Sequence, residues 1–227
     1  MGHMVEFASN DKDAIGYLSQ SLSGSGPGVI VIQEWWGLVP HIKEVCDRLA
    51  AEGFTALAPD LYHGEAAAEP DDAGKLMMNL DLPRASRDMS GAVDFLLSDD
   101  ACDTATVGAM GFCMGGGMVL WLSTIKTEVA ACVPFYGVIP WDGVQPDYSA
   151  SNAAYLGHYA GLDNPDTNDS ARKAEVRLRE LGKRANFHFY PDTHHAFFND
   201  ERPEIYDAGA ADLAWQRTLE FLREELH

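Results

Sequence analysis

The chain has 227 residues, 46% hydrophobic and 10% aromatic, with a formal net charge of −19. That composition excludes a disordered chain, and a negative field with only 16 scattered lysines and arginines argues against nucleic acid or a membrane surface as partner. No linker, repeat or charge block divides the sequence, so one domain with one sizeable core is expected over residues 5–227.

In chain order, MGHM at residues 1–4 resembles an expression-vector remnant, and no charged and apolar leader follows it, which reads as a cytoplasmic protein. GVIVIQE at 28–34 predicts the first strand. Pro40 presets φ for a helix that Gly53 closes, with Ile42, Val45, Cys46 and Leu49 on one apolar stripe. FTALAPDL at 54–61 predicts a second strand. The stretch from His63 to Ser90 has the poorest periodicity, although Pro83 to Ser98 places Met89, Val93 and Leu96 on one helical face. Cys102, in SDDACDT, reads as a loop residue. Thr104 to Ile125 is uncharged and nominally long enough to span a bilayer, but Gly108, Gly111 and Gly115 to Gly117 fit a buried strand, a tight turn and a buried helix instead. Further strands are predicted at 106–112, 130–137, 153–160 and 186–192, a surface helix at 170–182, and a last helix from Pro203 with Trp215, Leu219 and Leu222 facing the core. Apolar strands separated by helices give an α/β class: a central, mostly parallel sheet covered by helices on both faces. Chemistry in such a sheet belongs at the carboxyl ends of its strands.

Four cysteines, at 46, 102, 113 and 132, show no spacing for zinc or a disulfide framework. Cys46 and Cys132 fit as buried apolar residues; Cys113 needs a separate explanation. Gly111-Phe112-Cys113-Met114-Gly115 has the spacing of a nucleophile elbow, where a strand turns sharply into a helix and glycines permit the close approach. The following helix aims its amides at the sulfur, which favours thiolate. The plainer alternative is a buried cysteine beside a glycine-rich packing site. Downstream, in the order nucleophile, acid, histidine, come Asp163, Asp166 and Asp169, then His194 and His195. Asp163 follows its strand soonest, although acids there also serve as turn formers. Glu34 ends an apolar strand, where a carboxylate is costly unless exposed or paired; facing Cys113 it would exchange a proton with the thiol. The amides of Trp35 and Met114 are the matching oxyanion donors. No metal-ligand spacing appears among the histidines, and neither metal nor organic cofactor is expected.

At these residues the sequence resembles the dienelactone hydrolase family, through GVIVIQEWWG, APDLYHGE, GFCMGG and HHAFFND, blocks that together cover nearly the whole chain. The resemblance implies an α/β-hydrolase fold with Cys113 as nucleophile, Asp163 as acid, His195 rather than His194 as base, and Glu34 holding the resting thiol. His194 stands where the family often has glycine. Phe198 and Asn199 stand where an arginine for a substrate carboxylate is expected; Arg202 is a near neighbour, and Arg84 and Arg87 are candidates for a second. Trp36, Tyr136, Trp141 and Phe198, with Trp35, could instead form an aromatic substrate pocket. The expected function is a cysteine-dependent hydrolase of small-molecule lactones or esters, passing through a thioester, monomeric or a small homo-oligomer. The alternatives are a broad carboxylesterase or peptidase with the same triad, or a non-catalytic protein that senses oxidants through Cys113.

Overall fold

The structure, a computed structural model, describes residues 1–9 and 12–226. The described strands are β1 (His3–Ser9), β2 (Lys12–Ser19), β3 (Gly26–Ile32), β4 (Thr55–Pro59), β5 (Cys102–Phe112), β6 (Val129–Phe135), β7 (Ala154–Ala160) and β8 (Ala185–Tyr190). The helices are α1 (Pro40–Ala51), α2 (Pro70–Met78), α3 (Leu82–Ser98), α4 (Met114–Ile125), α5 (Pro165–Glu180) and α6 (Ala208–Glu225). One sheet of eight strands runs β1-β2-β4-β3-β5-β6-β7-β8. From β4 to β8 all neighbours are parallel, while β1 and β2 enter antiparallel.

The strands' side chains divide by the period of two. Ile30 and Ile32 point into a core closed by α3, α4 and α5, whereas Val29 and Val31 point into one closed by α1 and α6. Both faces are thus dry, which is why the central strands read as continuous apolar runs. Ile42, Val45, Cys46 and Leu49 of α1, and Met89, Val93 and Leu96 of α3, are all buried on the expected stripes. The parallel arrangement covered on both faces is the one the sequence implied.

Several boundaries differ. The hairpin β1–β2 lies outside the expected strands, because β1 at the sheet edge is largely exposed and carries a weaker pattern than a buried strand; Phe7, Ala14 and Leu18 are buried on the α3 side of the core, with Val5 partly buried beside them. It begins at His3, within the stretch read as a vector remnant, and the Gly2 amide donates to Asp47 Oδ1 at 2.8 Å. Cys102 opens β5 rather than lying in a loop, since Gly26 pairs with it across the sheet. The last helix starts at Ala208, with the Asp207 side chain accepting from the Ala210 amide as its cap. The segment 104–125, considered for a membrane, is the end of β5 and all of α4; among the described residues no helix is long and apolar enough to cross a membrane.

Between β3 and β5 the chain order reverses: the connection from β3 leads to β4 on one side, and β5 is added on the other. The loops leaving β3 and β5 therefore diverge and open a crevice at their carboxyl ends. Glu34 to Trp36 and Cys113 sit on those loops.

Candidate active site

Cys113 joins β5 to α4 with φ 53° and ψ −117°, a conformation that L-residues rarely adopt, and its amide is held by the Phe135 carbonyl at 3.0 Å. The glycines around it are required by distance. A Cβ on Gly111 would lie 2.2 Å from the Gly115 carbonyl oxygen, and one on Gly115 would lie 2.4 Å from the Ile32 carbonyl oxygen. Backbone cannot yield as a side chain can, so α4 folds back across β3 and β5 only with hydrogen at those positions. Cys113 is half-buried, packing against the core on one side and lining the crevice on the other.

Asp163 follows β7 and His195 follows β8, and the two meet: His195 Nδ1 donates to Asp163 Oδ2 at 2.7 Å. Asp163 Oδ1 accepts from the Asn164 amide at 2.7 Å, which fixes the carboxylate's orientation. Burial alone would lower the His195 pKa, but the hydrogen bond to Asp163 and the pairing with Cys113 push it up to about 10. Of the two adjacent histidines, His194 is exposed and His195 carries these contacts. Asp166 and Asp169 fall on α5, away from the imidazole's bond.

The Trp35 and Met114 amides have no protein acceptor among the described hydrogen bonds. Met114 opens α4, where helix geometry leaves amides free, and Trp35 lies in the turn after β3. Both residues line a cavity of about 340 Å³ together with Cys113 and His195. Such a volume suits a small organic ligand.

Glu34 is buried at the same cavity, but its hydrogen bonds run elsewhere than to Cys113. Its Oε2 accepts from Asn199 Nδ2 at 3.0 Å, and its Oε1 accepts from the Tyr136 hydroxyl at 3.5 Å. Burial raises the carboxyl's pKa above the usual range, opposed by Asn199, His195, Arg202 and Tyr136. Tyr136 itself, with φ 37°, packs its ring on His195 at 5.1 Å between centroids. Burial, and then the nearby Glu34, hold its hydroxyl proton in place. One tyrosine thus spans the carboxylate and the imidazole.

Of the aromatic candidates, Trp36 and Tyr136 line the cavity; Trp141 and Phe198 do not. Phe198 is a core residue stacked on Phe112 at 5.3 Å and covered by the Arg48 guanidinium, while Trp141 packs, partly buried, on the α4 side of the core. Their spacing could not reveal this, because aromatics fill cores as readily as pockets. Among the arginines, Arg202 lines the cavity and lies over Trp36. Arg84 instead donates to His63 Nδ1 at 3.0 Å beside the buried Asp88, and Arg87 is exposed. Asp88 also receives the Ser9 hydroxyl and faces His63 Nε2 at 3.1 Å, so Arg84 belongs to a cluster that pins α3 to the β1 end of the sheet.

The wall residues the sequence did not disclose are Met77, Val138, Pro140 and Thr167. They come from α2, α5 and the loop after β6, and none carries a motif. Among the described residues, no group of three or more His, Cys, Asp or Glu side chains is arranged to hold a metal ion.

Comparison with known proteins places nearly the whole chain beside one family. The profile of the dienelactone hydrolase family matches residues 14–226. "Protein usf" of Aquifex pyrophilus is 36% identical, and a protein of Aquifex aeolicus named "Putative carboxymethylenebutenolidase" is 33% identical, each over the full length of both chains. The solved structure of a dienelactone hydrolase-like promiscuous phosphotriesterase from metagenomic libraries superposes with a TM-score of 0.87 over 100% of this chain and 99% of the other, at 23% identity.

Proposed function

The chain belongs to the dienelactone hydrolase family, and from that premise we propose that it hydrolyses small esters or lactones through Cys113, His195 and Asp163. The observation that carries the reading is the 2.7 Å bond from His195 Nδ1 to Asp163, made at the cavity where Cys113 is held at a positive φ on the end of α4. That bond commits Nδ1, fixes the ring, and leaves Nε2 as the nitrogen that can serve the sulfur.

A protonated His195 is the charge partner a Cys113 thiolate requires. The thiolate sulfur attacks the acyl carbon, and the carbonyl electron pair moves to oxygen, where the Trp35 and Met114 amides receive it. Collapse breaks the acyl C–O bond, and the departing oxygen takes the proton from His195 Nε2. Neutral His195 then draws a proton from water as hydroxide adds to the thioester; the C–S bond breaks, the acid leaves, and the imidazolium and thiolate are restored. In a lactone both products are one molecule.

Glu34 supports this cycle from behind. Held by Asn199 and Tyr136, it places a proton-accepting group at the crevice without competing with Asp163 for the imidazole. The test is hydrolysis of a dienelactone and of p-nitrophenyl esters by the native protein, Cys113→Ala, Cys113→Ser and His195→Ala. Turnover lost in Cys113→Ala and His195→Ala is expected; turnover indifferent to Cys113 would reject the assignment.

A further inference from the structure

The walls of the catalytic cavity say what kind of acyl group it reads. Away from the reacting groups they are apolar except for Thr167 on α5, and come from separate segments: Trp35 and Trp36 after β3, Met77 on α2, Met114 on α4, and Val138 and Pro140 after β6. The one arginine in the lining, Arg202, already has a carboxylate partner. Its Nε donates to Glu204 at 3.1 Å, its Nη2 lies 3.1 Å from the same oxygen, and buried Glu34 feels its charge as well. A site made to capture a substrate carboxylate presents a cation with unspent donors in a fixed fork. Here an arriving anion would share the guanidinium with Glu204 and would meet buried Glu34 and the field of a chain carrying −19.

We infer that the acyl pocket selects uncharged substrates with an apolar chain, and that Met77 is its specificity-determining residue. This inference rests on the catalytic reading above. Met77 stands out because of the element that carries it. In α2 only Ala73 is fully buried, while Leu76 and Met77 pack, partly buried, against the core on the α3 and α4 side, so the helix serves the core and also supplies a wall of the cavity. Of the residues of that helix, Met77 is the one that lines the cavity. The root of that segment is stitched to the loop of Trp35 and Trp36, since the Ala67 amide donates to the Trp36 carbonyl at 2.9 Å and Gly37 bridges to Ala66. Met77 is thereby placed by the same loop that supplies an oxyanion donor, and its flexible thioether can follow chains of differing shape.

The test compares two p-nitrophenyl esters of nearly equal size, the uncharged pentanoate and the anionic hemisuccinate, at constant pH and salt. The wild type should favour the pentanoate in kcat/KM by roughly tenfold or more, the scale at which pockets discriminate by such contacts. Met77→Lys should erase or reverse that ratio through KM, and Glu204→Gln, which frees Arg202, should narrow it by raising hemisuccinate turnover alone. Calorimetric binding of pentanamide and succinamate to Cys113→Ala reads recognition without turnover, with the same order expected. Equal or preferred use of the hemisuccinate by the wild type, or equal or tighter binding of succinamate, would overturn the inference. Absence of hydrolysis in the wild type with pentanamide still preferred would reject the catalytic reading and leave the selectivity standing.

Discussion

The elbow at Cys113 and the segment of α2 border the same cavity and are built on opposite terms. Around Cys113 every approach is set by backbone: Gly111 and Gly115 have no room for a Cβ, Cys113 and Tyr136 hold positive φ, and Glu34 is buried with named partners. Around Met77 the chain is largely exposed, and Gly74 has nothing within 4 Å of where its Cβ would lie. Groups that must meet a reacting atom need fixed geometry, whereas a wall that meets a chain needs only shape and polarity. The first kind of region is intolerant of change and the second is free to vary.

Substitution in the triad should have the greatest consequence. Asp163→Asn should lower kcat/KM by about 10³- to 10⁴-fold, because the amide can hold the imidazole in the wrong tautomer. Asp166→Asn, on the first turn of α5, should stay within about twofold; comparable losses in both would show that Asp163 has no special role.

Next in size is the contrast between two glycines. Gly115→Ala should cost about 3 kcal/mol, since its methyl would press on the Ile32 and Gln33 carbonyls. Gly74→Ala, inside α2, should gain about 1 kcal/mol from helix propensity and raise the melting temperature by roughly 2–4 °C. Thermal unfolding of both variants measures this, and equal effects would erase the distinction between the two regions.

The smallest effect concerns charge. His195 titrates with its pKa pushed up to about 10 from 6.5, so the stability it contributes is complete below about pH 6.5 and is lost as pH rises through about 10. NMR titration of the imidazole should show that high value in the wild type and lower ones in Asp163→Asn and Cys113→Ala, each of which removes a group holding the proton. A value near 6.5 in all three would mean the pairing is absent.

What the sequence made legible follows the same division. The loops after the later strands offered Asp163, Asp166 and Asp169, and His194 and His195, and His195 was singled out by the family resemblance. The elbow glycines and Cys113 could be read because they are tied to a strand end, and strand ends are visible where apolar runs stop. The buried central strands were legible for the same reason. The hairpin β1–β2 and the helix α2 were not, since a half-solvated edge and an exposed helix show little periodicity. Phe198 was offered as a pocket residue for its aromatic ring, but three residues beyond His195 the chain turns that ring into the core beside Phe112. Met77 and the true environment of Arg202 depend on how distant segments fold together, which no local pattern encodes.

The central claim is that an acyl group passes through the Cys113 sulfur. The direct measurement is intact-protein and peptide mass spectrometry of the wild type, His195→Ala and Cys113→Ala, acid-quenched during reaction with p-nitrophenyl pentanoate. One acyl group is expected on the peptide containing Cys113 in the wild type, accumulating in His195→Ala where deacylation lacks its base, and none in Cys113→Ala. An acyl group on another residue, or undiminished turnover in Cys113→Ala, would contradict that claim.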